Sequence, residues 1–249
     1  MADQTTTVAG TEPRPRYSAR TALFDAVFIV FNLSYALFAS TRCVLFDGRY
    51  LQRDLLRYSQ RISWMLEKIL GITVEVTGAE NIPDDRPVIM GSRHMSWLDP
   101  ILSLQYARGV RGLAKKELFT IPFIGSVFRQ MKNIKVDREA QKTEIGIHEI
   151  AEQVNSSTRP LMIYPEGTRC RQGEVRRLKS GIFRIHEASG VDVLPIRTNS
   201  GAHWRGPGHG SRPGVIRIEV LPPLPRTDDK DAFMEALSTT ITNDRFDAE

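Results

Sequence analysis

From residue 71 onward, short apolar runs alternate with stretches of helical periodicity, and this alternation limits the fold more than any other feature of the chain. The apolar runs lie at 72–77, 88–91, 112–114, 134–136, 161–164, 193–196 and 215–220. The helical stretches lie at 100–106, 123–131, 139–154, 180–189 and 230–241. Apolar runs without clear in-out alternation are strands covered on both faces, and the helices between them supply the cover. The expected class is α/β: a mostly buried mixed sheet flanked by helices. A chain of 249 residues has room for one such domain and a small appendage.

Ahead of the alternating region the texture differs. Residues 1–20 are polar, carry two Pro-Arg steps and read as a disordered tail. They lack the apolar core and small-residue cleavage site of a secretory signal. Residues 22–40 are the most apolar stretch and approach the length a membrane span needs. Asp25 and Asn32 interrupt it, seven residues apart and so on one helix face. That stripe suits a helix embedded part-way in a membrane, or one whose polar face packs on protein. Residues 51–70 are amphipathic, with Leu51, Leu55, Tyr58, Ile62, Met65 and Ile69 on one face. Arg49, Arg53, Arg57 and Arg61 repeat every four residues beside it, as lipid phosphates or as plain solvent would allow. Residues 21–70 are therefore expected to be membrane-associating helices.

The net charge of +5 points to phosphate as a partner: nucleic acid, an anionic membrane or a phosphorylated substrate. Zinc-finger, aromatic RNA-binding and recognition-helix signatures are missing, so nucleic acid is not expected. The two cysteines, Cys43 and Cys170, are far apart. This excludes a disulfide scaffold and a cysteine metal cluster, fits a reducing compartment, and no His/Cys spacing suggests a metal site.

Two segments carry chemistry. In the first, His94 follows a strand and Asp99 precedes a helix, in the spacing H-x-x-x-x-D. On a straight helix five residues rotate by about 140°, so the pair would not share a face. Around a strand-to-helix turn they can meet, and a carboxylate then orients an imidazole for general-base work. The competing reading is that Asp99, followed by Pro100, merely caps the helix. In the second, an apolar strand runs into Tyr164-Pro165-Glu166-Gly167-Thr168-Arg169. Glycine lets a ligand approach the backbone, threonine offers a hydroxyl, and arginine binds phosphate bidentately. Arg171, Arg176, Arg177 and Lys179 add positive charge. Taken alone, the segment also reads as a solvated surface turn.

Together the two segments resemble the glycerolipid acyltransferase family, and within it the bacterial lysophosphatidic acid acyltransferases (1-acylglycerol-3-phosphate O-acyltransferases). The family's N-H-x-x-x-x-D is matched by His94 and Asp99, and its Asp-Arg segment by residues 133–138, ending in Asp137 and Arg138. Its Phe/Tyr-Pro-Glu-Gly-Thr-Arg is matched at 164–169, with Lys179 and Gly181 downstream, and its proline-centred strand at 193–196. Arg93 stands where the family has asparagine, Cys170 where serine is common, and Leu178 where phenylalanine is common.

The resemblance, spanning about residues 71–225, implies that 71–249 form an acyltransferase domain. His94, oriented by Asp99, would deprotonate a lysophospholipid hydroxyl, which attacks an acyl thioester. Arg138, Gly167, Thr168 and Arg169 would bind the acceptor phosphate. Glu166 would orient a glycerol hydroxyl or brace its loop, and Pro195 would shape a pocket. The charge of Arg93 would act on the imidazole or meet the phosphate. The implied product is phosphatidic acid, made for phospholipid synthesis. No resident cofactor is implied; the donor would be an acyl-carrier-protein or coenzyme A thioester. The implied setting is the cytoplasmic face of the bacterial inner membrane. Rival readings are another acceptor such as lyso-ornithine lipid, thioester hydrolysis, or a non-catalytic membrane tether.

Overall fold

The computed structural model describes residues 6–7, 15–121, 124–136 and 144–243. β1 (Thr6–Thr7) pairs with β7 (Glu174–Val175) in a small antiparallel ribbon. The other strands form one sheet: β2 (Ile72–Thr77), β3 (Ile89–Ser92), β4 (Arg111–Lys115), β5 (Ile134–Val136), β6 (Leu161–Ile163), β8 (Val193–Thr198) and β9 (Gly214–Val220). Their order is β2-β9-β8-β3-β6-β4-β5. Pairing is parallel except between β8 and β9, so the sheet is mixed, as the alternation predicts. β8 runs two residues past its apolar run because Arg197 sits opposite Glu219 on β9 and pairs with it.

The helices are α1 (Ala19–Leu45), α2 (Leu51–Met65), α3 (Asp99–Tyr106), α4 (Ile124–Gln130), α5 (Glu144–Asn155), α6 (Gly181–Ser189), the single turn α7 (Ser200–His203) and α8 (Lys230–Thr242). α2 widens into a π-helical turn, Leu66–Leu70, that ends at Gly71 in the left-handed conformation. Within the polar tail, residues 1–5 and 8–14 lie outside the described residues. Arg16 bridges Ser211, and Ser18 forms a capping box with Thr21 at the start of α1.

Side chains alternate across the sheet and split the core into two layers. Met90, Met162, Leu194 and Ile216 face one layer with Phe24, Phe28, Ile62 and Leu66 from α1, α2 and the π turn. Ile89, Leu161, Ile163 and Val193 face the other with Ile147, Ile182, Phe183 and Phe233 from α5, α6 and α8. The N-terminal helices therefore supply one face of the central sheet's cover.

The polar stripe of α1 meets protein. Asp25, 5% exposed, accepts hydrogen bonds from Trp204 Nε1 (3.0 Å) and the Gly208 N–H (2.8 Å). Asn32 accepts from the Tyr58 hydroxyl of α2. Trp204 is fully buried edge-on against Phe24 and Phe28. The outer face of α1 is apolar and open: Leu23, Val30, Leu33, Leu37 and Val44 are all exposed. Arg49, Arg53, Arg57 and Arg61 are exposed beside α2.

This arrangement makes α1, α2 and the π turn inseparable from the fold. Losing a single buried aromatic side chain costs about 3–5 kcal/mol, and this deletion removes several large core residues at once. A chain lacking residues 1–70 is expected to lose its cooperative thermal transition. A sharp melt from a monomeric 71–249 fragment would contradict this.

Candidate active site

β3 lies between β8 and β6 and is parallel to both, with Gly91 opposite Pro195 on one side and Ile163 on the other. The three strands therefore deliver their following loops to the same end of the sheet, where open α/β sheets place ligands. Those loops carry His94, the 164–169 segment and Ser200.

The segment after β3 turns back on itself, and Asp99 holds it closed. Its Oδ2 accepts from the Met95 N–H (2.7 Å) and the Ser96 N–H (2.8 Å), and lies 2.9 Å from His94 Nδ1. Its Oδ1 accepts from the Ser200 hydroxyl of α7. The carboxylate points back into the turn rather than forward onto the first N–H groups of α3, so orienting His94 prevails over helix capping. With Nδ1 as the donor to Asp99, Nε2 is the basic nitrogen. Nε2 has no protein partner among the described residues, and the imidazole borders an open cavity. One face of the ring stacks on Tyr164, centroids 4.3 Å apart.

Tyr164 to Gly167 form a β-turn closed by the Gly167 N–H on the Tyr164 carbonyl (3.0 Å). Gly167 has φ near +70°, a left-handed backbone conformation that glycine adopts without strain. Gly167 and Thr168 are exposed. Glu166 is not: its side chain is 2% exposed. Its Oε2 accepts from the His94 backbone N–H (2.7 Å), and Oε1 lies 3.9 Å from Arg93 Nε. Of the two roles expected for Glu166, the geometry has it bracing the histidine loop. Arg93 also turns inward. It is 3% exposed and donates to the Glu174 carbonyl (3.0 Å), which corrects the expectation of a phosphate contact. Arg169 lies at the rim, its guanidinium over the Trp97 ring. Arg138 lies outside the described residues.

The cavity beside His94 has a volume of about 420 Å³ and mostly apolar walls, including Leu104, Val110, Leu113, Phe128, Met131 and Met162. Pro195 does not line it. The proline sits in β8 where the ladder to β9 ends, a place that tolerates a missing N–H. Sequence reasoning missed Ser200, Tyr164 and Trp97. Tyr164 and Trp97 stand inside the quoted motifs as aromatics without an assigned task. Ser200 lies far from Asp99 in the chain and carries no motif signal.

Burial pushes the Glu166 carboxyl up to about 7, against the lowering effect of the His94 N–H and Arg93. The folded protein thus keeps a proton that the unfolded chain loses near pH 4.5. That contribution to stability is full below about pH 4.5 and disappears as the pH rises through about 7. Glu166→Gln keeps an acceptor for the His94 N–H but cannot ionise. Thermal melts across this window are expected to show the variant gaining on the wild-type protein as pH rises. A pH-independent difference would refute the assignment.

Known proteins share this architecture. A solved structure of the 1-acyl-sn-glycerophosphate (LPA) acyltransferase PlsC from Thermotoga maritima superposes with a TM-score of 0.68, covering 92% of this chain and 94% of that one at 23% identity. A 1-acyl-sn-glycerol-3-phosphate acyltransferase of Pseudomonas aeruginosa is 29% identical over 164 residues, covering 65% of this chain and 63% of its own length. One from Borreliella burgdorferi is 34% identical over 129 residues, covering 51% and 52%. The chain thus spans less than two thirds of the length of these curated relatives. The acyltransferase family model matches residues 73–199, just over half of the chain and the part that holds His94, Asp99 and the 164–169 loop. The protein belongs to the acyltransferase family.

Proposed function

We propose that the protein transfers a fatty acyl group from a thioester to the free hydroxyl of lysophosphatidic acid, forming phosphatidic acid. One observation carries this reading: His94 is tied through Nδ1 to a buried carboxylate while its ring borders an apolar cavity. The acceptor hydroxyl gives its proton to Nε2 as its oxygen bonds to the thioester carbonyl carbon. Collapse of the tetrahedral adduct breaks the carbon–sulfur bond, and the proton on His94 leaves with the thiolate as a thiol. Asp99 stabilises the imidazolium throughout. The acyl chain occupies the apolar cavity, and Arg169 with the exposed backbone at Gly167 and Thr168 takes the phosphate. Arg138 belongs to the same proposal through the family motif alone. The donor is an acyl-carrier-protein or coenzyme A thioester, and no resident cofactor is invoked.

The setting we propose is the cytoplasmic surface of a membrane. α1 is long and apolar enough to cross a bilayer. Its polar residues dock on protein, however, while its outer face is apolar and exposed and α2 carries exposed arginines. That pattern favours a helix lying in the interface.

His94→Ala is expected to lower turnover by about 10²–10⁴-fold in a well-folded protein. Arg169→Ala is expected chiefly to raise KM for lysophosphatidic acid. Assays with purified protein in vesicles, offering lysophosphatidic acid and lyso-ornithine lipid separately, check both. Normal turnover by His94→Ala, or product from the ornithine lipid alone, would overturn the reading. Replacing exposed Leu33 and Leu37 together by Asp is expected to cut co-sedimentation with anionic liposomes at least tenfold at an unchanged melting temperature. Burying two leucines is worth about 3–6 kcal/mol. Undiminished pelleting would sink the interfacial assignment.

A further inference from the structure

Arg169 is the cation expected to meet the acceptor phosphate, yet its guanidinium makes no hydrogen bond or ion pair among the described residues. It lies instead over the Trp97 ring, 4.8 Å from the centroid. A guanidinium stacked on an aromatic face keeps its N–H edges free, and those edges bind phosphate bidentately. Trp97 is 48% exposed, a large apolar side chain left at the surface of the very turn that joins His94 to Asp99.

The stack is held from several sides. The Trp97 backbone N–H donates to the Arg205 carbonyl (3.1 Å), and the Arg205 guanidinium donates to the Arg169 carbonyl (3.3 Å). Gly206 lies against the indole; a side chain there would come within 2.3 Å of Trp97 Cδ1. The local field is positive. Arg205 has its own pKa pulled down first by burial and then by Arg171, with Arg169 adding to the effect over the opposing pull of Glu174. Because Asp99 accepts from the Met95 and Ser96 N–H groups on one side of Trp97, the indole and His94 belong to one closed turn.

We propose that Trp97 is a positioning and acceptor-specificity residue: its indole holds the Arg169 guanidinium at a set offset from His94, so the site selects an acceptor whose phosphate and reacting hydroxyl are joined by a short polyol. This rests on the function proposed above. The turn that carries the base thereby also supports the phosphate cation of the neighbouring loop.

The test uses the full chain in vesicles, with lysophosphatidic acid and the phosphate-free monoacylglycerol as acceptors. Trp97→Leu keeps an apolar side chain but removes the aromatic face; Trp97→Phe restores a ring. Trp97→Leu is expected to raise KM for lysophosphatidic acid about 3- to 30-fold. Its kcat, its kcat/KM for monoacylglycerol and its vesicle binding stay near wild type, and Trp97→Phe recovers most of the KM. An unchanged KM for lysophosphatidic acid would overturn the proposal. So would losses that track weaker vesicle binding, which would make Trp97 an interfacial anchor. Arg169→Ala separates the two levels. If it also leaves KM unchanged, the phosphate-binding assignment fails; if it alone raises KM, only the role of Trp97 falls.

Discussion

The parallel pairing of β3 between β8 and β6 is the constraint on which the rest of the site depends. Parallel strands in register send their carboxyl ends the same way. Gly91 faces both Pro195 and Ile163 in the ladder, so the chain beyond each strand starts from the same level of the sheet. His94 comes from the central strand, the 164–169 loop from one neighbour, and Ser200 from the other. No loop has to be long to reach its partners.

Within that frame, one carboxylate organises the chemistry. Asp99 is buried and accepts hydrogen bonds from two backbone N–H groups and the Ser200 hydroxyl besides meeting His94. A buried charge is tolerable when several donors satisfy it, and an unpaired one is not. Glu166 performs a related task one loop away, fixing the His94 backbone rather than its ring. Burial dominates its environment and pushes its carboxyl toward neutrality.

The N-terminal helices are tied to this centre. Asp25 of α1 binds Trp204, the Ser96 hydroxyl donates to the Trp204 carbonyl (2.6 Å), and the Ser96 N–H reaches Asp99. An aspartate that looks like a defect in an apolar helix is thus a docking point. The outward face of the same helix stays apolar and exposed, as the interfacial placement proposed above requires. Of the two arrangements the sequence allowed for this helix, packing of its polar stripe on protein is the one observed.

Much of this was legible in the chain. Apolar runs located all seven strands of the main sheet because buried strands need continuous apolar surface. The spacing of His94 and Asp99 and the run from Tyr164 to Arg169 marked the two segments that meet at the candidate site, since local turns set what residues a few positions apart can do. The inward turn of Arg93 was not legible, because an arginine beside a histidine reads equally as ligand or brace until Glu166 is seen behind it. Nor was Ser200, whose bond to Asp99 spans 101 residues. Nor was the Trp97 stack, because a contact between two loops leaves no period in either. The elements and their local chemistry follow from near neighbours along the chain. Which loops meet and which charges are buried follow from strand order and from what covers each face, and those exist only once the chain has folded.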